Sequence, residues 1–383
     1  MRRLATLAFG FVWLTAATFA QTPPVSVSPE ASQSDRRLIL VTVDGVRWQE
    51  IFRGAEERIV EDGLRTTKMA EIKKAFLAPR DRVRALTPFI QSIPGRGGVV
   101  AGNRDANSCF RVGNRYWFSY PGYNEILTGR IDGYANSNDP VPNPDMTFLE
   151  WLNHLPGFDG MVRAAAGGTG FFAPILNVAR SRIPLNDAGG AAPFTEQGDA
   201  LTHAAAIAAL QKPDVRVIYA AYGETDHLAH EGRYDEYLLG IRRFDNWLRE
   251  LWETAQSSPD WAGKTTLIVT TDHGRGVSDL NNENWRHHGS GWYPYRSFEP
   301  KSKTPDFEPT WNNSGYFLPQ ELEFGSDQTW AVVLAPQAVQ ALPPGGLCLT
   351  ANRIASTAIQ SLGLDWRVFS PLMGEPFVKF KPE

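Results

Sequence analysis

The stretch TLIVTTDHGRG, Thr266 to Gly276, decides how the chain is read. Leu267 to Thr271 form a short apolar and β-branched run of the kind that fills a buried strand. The run ends on Asp272 and His273, two side chains that bind metals well, and then turns on Gly274 and Gly276. LILVTVDGV, Leu38 to Val46, repeats the arrangement and ends its apolar run on Asp44. Further apolar runs cover Gly160–Ala166, Val215–Tyr222 and Trp330–Ala335. Helical spacing separates them. It is clearest over Tyr234–Ala255, where Tyr237, Leu238, Ile241, Phe244, Leu248, Leu251 and Trp252 recur on one face, and a second helix is expected over Thr350–Leu362. Strands alternating with helices predict an α/β fold, a three-layer α/β/α sandwich around a mostly parallel sheet.

The chain has 383 residues, 42% of them hydrophobic, which suits one large domain or two ordinary ones; with no internal repeat, one domain with insertions is the simpler reading. A net charge of −4 gives no reason to expect a nucleic-acid polymer as partner. MRR followed by LATLAFGFVWLTAATFA reads as a signal peptide over residues 1–20, implying export to the periplasm or outside the cell, with a transmembrane anchor as the alternative although the apolar run is short for a span. Residues 21–36 read as a flexible leader, 37–372 as the domain, with an aromatic-rich insertion at about 275–328, and 373–383 as a C-terminal tail. No later segment is long and apolar enough to span a membrane, and the oligomeric state is open. The insertion holds Trp285, Trp292, Tyr293, Trp311 and Tyr316, which either pack the loop or wall a flat leaving group. Cys109 and Cys348 are the only cysteines; export permits their pairing but does not require it.

Ligands of open parallel sheets gather at the carboxyl ends of strands, where Asp44, Asp226, Asp272 and His273 all fall. In YGETDHLAHEG, Asp226 and His230 stand four apart, on one face of a helical turn, while His227 points elsewhere. WRHHGSGW adds His287 and His288, of which His288 beside Gly289 is the candidate donor. In FSYPGYNEILTG, Tyr120–Thr128 reads as a helix with Pro121 in its first turn and Ser119 at the cap. A serine there either caps the helix or, beside a divalent cation, serves as an alkoxide nucleophile. Asp245, inside the apolar stripe of the long helix, is either a capping group or a support for a ligand-bearing loop.

VTVDGVR, LTPF, the Ser119 segment, Asp-x-x-x-His and TTDHG, in that order, resemble the alkaline phosphatase superfamily from about Leu38 to about Pro371. That superfamily holds phosphatases, nucleotide pyrophosphatase/phosphodiesterases, sulfatases, phosphonoacetate hydrolases and cofactor-independent phosphoglycerate mutases. The resemblance implies two divalent cations, zinc in the first instance with manganese or magnesium as substitutes. Asp44, Ser119, Asp272 and His273 would hold one, and Asp226, His230 and His288 the other. It further implies hydrolysis of a small phosphoric ester through a phospho-serine at Ser119. The nucleophile segment departs from the Thr-x-Pro-Asn-His of phosphodiesterase members, although Thr128-Gly129 matches them, and Tyr123 stands where sulfatases carry arginine. Diester or pyrophosphate cleavage is favoured because no basic side chain can be singled out to meet a monoester's extra charge. Arg130 and Arg163 are available but read equally as surface charges, and Asn136 or Asn138 is a candidate donor to a phosphoryl oxygen. A phosphomonoesterase, a sulfate or phosphonate ester hydrolase and an inactive anion-binding relative remain as alternatives.

Overall fold

The computed structural model describes residues 35–131, 135–186, 193–277, 284–293, 316–322, 325–337, 339–341 and 348–380. The expected signal peptide, most of the leader and Trp311 lie outside these residues, as do the side chains of Trp292, Tyr293 and Tyr316.

The central sheet has six strands: β1 (Arg37–Val43), β2 (Val99–Ala101), β3 (Val162–Ala166), β4 (Val217–Tyr222), β5 (Thr265–Thr271) and β6 (Ala331–Leu334). Their spatial order is β2-β6-β5-β1-β4-β3. β5, β1, β4 and β3 run parallel, and β6 is antiparallel to both β5 and β2. β1 lies at the centre, with Val43 opposite Tyr222 of β4 and Thr271 of β5. That register brings Asp44, Gly223 and Asp272, each one residue further on, to the same edge of the sheet.

Alternation along each strand splits the core into two layers. Ile39, Val41, Val43, Ile218, Ala220, Leu267 and Val269 face one layer; Leu38, Leu40, Val217, Tyr219, Ala221 and Ile268 face the other. Both faces are covered, which explains why the strands read as continuous apolar runs. Helices α2 (Glu196–Leu210) and α4 (Tyr234–Ser257) contribute to the first layer. Helices α1 (Ser119–Thr128) and α5 (Arg353–Ser361) contribute to the second. The short helix α3 (Glu224–His230) follows β4. All seven apolar positions singled out along α4 are buried. Asp245, among them, is also buried and accepts hydrogen bonds from the backbone N–H groups of Phe89 and Ile90, both 2.9 Å, at the start of the helix Pro88–Ser92. It therefore caps the LTPF element.

Within the expected C-terminal tail, Val378–Phe380 pairs with Val339–Ala341, and Met373, Phe377 and Val378 are buried. The aromatic insertion contains a hairpin of Ser290–Tyr293 and Tyr316–Leu322, which its scarcity of aliphatic residues concealed. Strand β2 is too short for an apolar run to announce it. Cys109 and Cys348 form a disulfide, next to the pairing of Phe110 with Leu349.

Candidate metal centre

Ser119 is the first residue of α1 rather than its cap; Phe118, with extended backbone, holds that position. The N–H of Tyr120 is taken by Asn138 Oδ1 at 2.9 Å, so Ser119 Oγ has no capping duty. Instead it lies 3.4 Å from His273 Nε2. The helix can come this close because residue 122 is glycine: a Cβ there would sit 2.3 Å from the Asp272 carbonyl oxygen. Gly129, at φ 70°, ends the helix in the left-handed region where glycine is favoured.

Asp44, Asp272 and His273 form one compact group. His273 Nε2 is 3.3 Å from Asp44 Oδ1 and 3.4 Å from Asp272 Oδ2. His273 Nδ1 lies 2.8 Å from the Gly274 carbonyl, an acceptor, so Nδ1 carries a proton and donates it. Nε2 is then the atom left to bond a proton or a cation. The other carboxylate oxygens are anchored: Tyr123 donates to Asp44 Oδ2 at 3.1 Å, and Gly45 N–H donates to Asp272 Oδ1 at 3.1 Å. Asp44 Oδ1 and Asp272 Oδ2 are buried without a hydrogen-bond partner among the described residues.

Asp226, His230 and His288 meet beside this group. Asp226 Oδ2 is 3.3 Å from His230 Nε2, and Asp226 Oδ1 is 3.6 Å from His288 Nε2. The two histidine Nε2 atoms approach to 2.9 Å. His273 Nε2 also lies 3.9 Å from Asp226 Oδ1, so the two groups adjoin. Donor atoms of Asp44, Asp272 and His273 all fall within 4.8 Å of one another, as do those of Asp226, His273 and His288. The second of these triplets includes His273, whereas the resemblance places His230 with Asp226 and His288. The distances to both partners bring His230 to the same point.

The electrostatics show why such a group wants a cation. Burial, then the neighbouring carboxylates, pushes the Asp44 and Asp272 carboxyls up. Burial alone would lower the His273 imidazolium, but Asp272 and Asp44 outweigh it and hold it up at about 9. Burial, then His273, pushes His288 down. Burial opposes ionisation of Asp226 too, but the Arg275 guanidinium and the neighbouring imidazoles hold its carboxyl well below the usual range. Like charges packed this closely in a dry site are costly, and a divalent cation relieves that cost. The orphaned oxygens and the opposed imidazole nitrogens fit such ions.

His227 turns away and meets Glu231 at 3.2 Å. Arg163 pairs with Asp214 at 3.0 Å near the start of β3, away from the carboxyl ends, and Arg130 lies 3.6 Å from Asp145. Trp285 is buried and packs on Tyr234 and Tyr237, with ring centroids 4.9 and 5.6 Å away, so this ring fills the core. Sequence reading missed Arg275, Asp199 and the hydroxyl of Tyr123. Arg275 is wholly buried and contacts Asp226. Asp199, on α2, accepts from the N–H groups of Gly223 (2.9 Å) and Glu224 (3.0 Å) and so holds the start of α3. The signal for Arg275 was its place two residues after His273; Asp199 gave none.

Residues 182–289 match the family model described as the metalloenzyme superfamily. This segment contains Asp226, His230, Asp272, His273 and His288, but neither Asp44 nor Ser119. No curated protein matches the chain by sequence. Solved structures share the fold. The lipoteichoic acid synthase LtaP from Listeria monocytogenes superposes with TM-score 0.51 at 12% identity, covering 90% of this chain and 76% of that one. A putative sulfatase from Bacteroides thetaiotaomicron gives TM-score 0.52 at 10% identity, covering 91% and 77%. The C-terminal periplasmic domain of EcEptC from Escherichia coli gives 0.51 at 11%, covering 92% and 89%. The family-model match and the shared fold together support placement in the alkaline-phosphatase-like superfamily. Its members are metal-dependent transferases and hydrolases of phosphoryl and sulfuryl groups.

Proposed function

We propose that the chain is an exported dinuclear-metal hydrolase of small phosphoric esters that works through a phospho-serine on Ser119, with diesters or pyrophosphates preferred. The observation that carries this reading is the approach of Ser119 Oγ to His273 Nε2, 3.4 Å, at the N-terminus of a ten-residue helix and beside the Asp44–Asp272–His273 group. Asp44, Asp272 and His273, joined by Ser119, would hold one divalent cation, and Asp226, His230 and His288 the other. Carboxylate and imidazole donors suit zinc. When bound, the cations supply charge neutralisation at the phosphoryl group and lower the serine's pKa.

The chain's own residues do the rest. The N-terminus of α1 favours the anionic form of Ser119 and faces an anionic substrate with positive potential. Ser119 Oγ forms a bond to phosphorus as the ester oxygen leaves, and water then cleaves the phospho-serine. The Gly274 carbonyl keeps His273 in one tautomer throughout.

Phosphorus is favoured over sulfur because position 123, where sulfatases carry the arginine used in maturing the nucleophile, holds a tyrosine whose hydroxyl is bonded to Asp44. A diester is favoured because the arginines considered are engaged: Arg163 with Asp214, Arg130 beside Asp145, and Arg275 with Asp226. Asn138, its Oδ1 occupied by Tyr120, retains its amide group as a candidate donor to a phosphoryl oxygen; Asn136 is the other. Export rests on the expected signal peptide over residues 1–20; among the described residues no helix is long and apolar enough to cross a membrane.

The test is turnover of bis-p-nitrophenyl phosphate, p-nitrophenyl phosphate and p-nitrophenyl sulfate by protein of measured metal content. The diester should be cleaved fastest. Ser119→Ala should lose at least about a thousandfold in kcat, the scale expected for a removed nucleophile. Preference for the sulfate, or full turnover by Ser119→Ala, overturns the reading.

A further inference from the structure

Two buried side chains grip the carboxylates of the centre without being cation donors themselves. Tyr123 is wholly buried, and its phenol donates to Asp44 Oδ2. The rings of Phe172 and Phe171, with centroids 4.8 and 6.2 Å away, hold it from the side. Asp44 Oδ1, left without a hydrogen bond, is thereby turned toward His273 Nε2. Tyr123 lies one helical turn after Ser119, so a single helix delivers both the candidate nucleophile and this grip.

Arg275 does the corresponding work on the other side. Its guanidinium contacts Asp226 Oδ1, and it also donates to the carbonyls of Trp285 (2.9 Å) and Arg286. Those carbonyls belong to the turn Asn284–Arg286, two residues before His288. One planar fork thus ties Asp226 to the loop that carries His288, while Asp226 Oδ2 stays turned to His230. Gly45 makes room for it: at φ +62°, a Cβ there would lie 2.7 Å from both Arg275 Nη1 and Asp226 Oδ1.

We propose that Tyr123 and Arg275 are positioning residues, one for each cradle. Tyr123 fixes the donor oxygen of Asp44 in the Asp44–Asp272–His273 cradle. Arg275 assembles the Asp226–His230–His288 cradle by joining a helix to a loop. The inference rests on the dinuclear reading above, and the two fail separately.

The experiment measures zinc binding by the full chain, stripped of metal and titrated against a chromogenic chelator. Wild type should take up two equivalents; fewer than two overturns the dinuclear reading itself. Tyr123→Phe, which keeps the ring and loses only the hydroxyl, should weaken one equivalent by about tenfold or more, the usual scale for groups supporting a ligand. Arg275→Lys, which keeps charge but cannot reproduce the fork, should weaken the other. The cradles are told apart by background. Tyr123→Phe should still act when His230→Ala has removed the second cradle, and should have no effect when Asp272→Ala has removed the first; Arg275→Lys should show the reverse. If Arg275→Lys fails to fold, as judged by circular dichroism of the metal-free protein, Arg275→Gln takes its place. Equal weakening of both equivalents by either variant, or no weakening while wild type binds two, overturns the proposal and leaves the dinuclear reading standing.

Discussion

Asp44, Asp272 and His273 stand just beyond adjacent strands of the sheet and are 3%, 0% and 0% exposed. His230 and His288 hang from a seven-residue helix and from the loop after a short turn, and the side chain of His230 is 43% exposed. The first group inherits its geometry from the register of β1 against β5, which every ladder hydrogen bond enforces. The second lies further from the ladder, with Asp226 three residues beyond Gly223 and His288 in a loop, and it is held by side chains: Asp199 at the start of α3, and Arg275 between Asp226 and the His288 loop. A site can thus have one half fixed by topology and another fixed by a few polar contacts. The two halves should respond differently to damage.

The largest difference should appear on removing one donor from each half. Asp272→Ala takes a wholly buried carboxylate from the rigid group and leaves Asp44 and His273 without their partner. It should lower kcat by at least about a thousandfold, comparable to losing a member of a catalytic unit. His230→Ala removes a half-exposed donor that water can replace, so the loss should be about ten- to a hundredfold and partly restored by raised zinc. Steady-state kinetics on a diester at several zinc concentrations checks both. Equal losses with no zinc rescue would erase the distinction between the halves.

The disulfide probes the rigid side. Cys109 and Cys348 lie 239 residues apart and clamp the segment before α1 to the segment before α5. Closing so long a loop restricts the unfolded chain strongly, so Cys109→Ser with Cys348→Ser should cost about 2–4 kcal/mol in chemical denaturation. Zinc uptake by the Asp226–His230–His288 side should change little, because the disulfide joins the segments before α1 and α5 rather than α3 and the Asn284–Arg286 turn.

The same contrast governs what could be read from sequence. Buried parallel strands write their signature as apolar runs, and the residue after each run is fixed in place. The four parallel strands and the positions of Asp44, Asp272 and His273 are therefore legible, and the buried antiparallel β6 carries the same apolar signature. The Asp226–His230 spacing, which needs only one helical turn, is legible too. The side chains that support the two halves are not. Asp199 acts on backbone groups 24 and 25 positions away, and nothing in its own neighbourhood distinguishes it from a solvated helix residue. Tyr123 was noticed only for the arginine it replaces, since a hydroxyl's partner across 79 positions is a product of packing. With Pro121 in the first turn, Ser119 reads as a cap, yet it is the first helical residue, and the N–H of Tyr120 is met by Asn138 from a separate loop.

Asp199 gives the finest test of the softer half. Burial pushes its carboxyl up to about 8 despite the two N–H bonds it accepts from the start of α3. A carboxyl whose folded pKa exceeds its unfolded value, about 3.9, binds its proton more tightly in the native state. Its contribution to stability is complete below pH about 4 and is lost as pH rises towards 8, at most about 1.4 kcal/mol per pH unit for one proton. Asp199→Asn has no proton to lose. It sacrifices one of the two N–H bonds at every pH, so its penalty is constant, while this part of the slope disappears. Urea midpoints of the metal-free proteins at pH 5, 6.5 and 8 should therefore converge as the pH rises, with the variant weaker at pH 5 and closer to wild type at pH 8. Parallel profiles would mean that the carboxyl is already ionised at pH 5. The start of α3 would then be held by a charge, and the softer half would be electrostatically firmer than its exposure suggests.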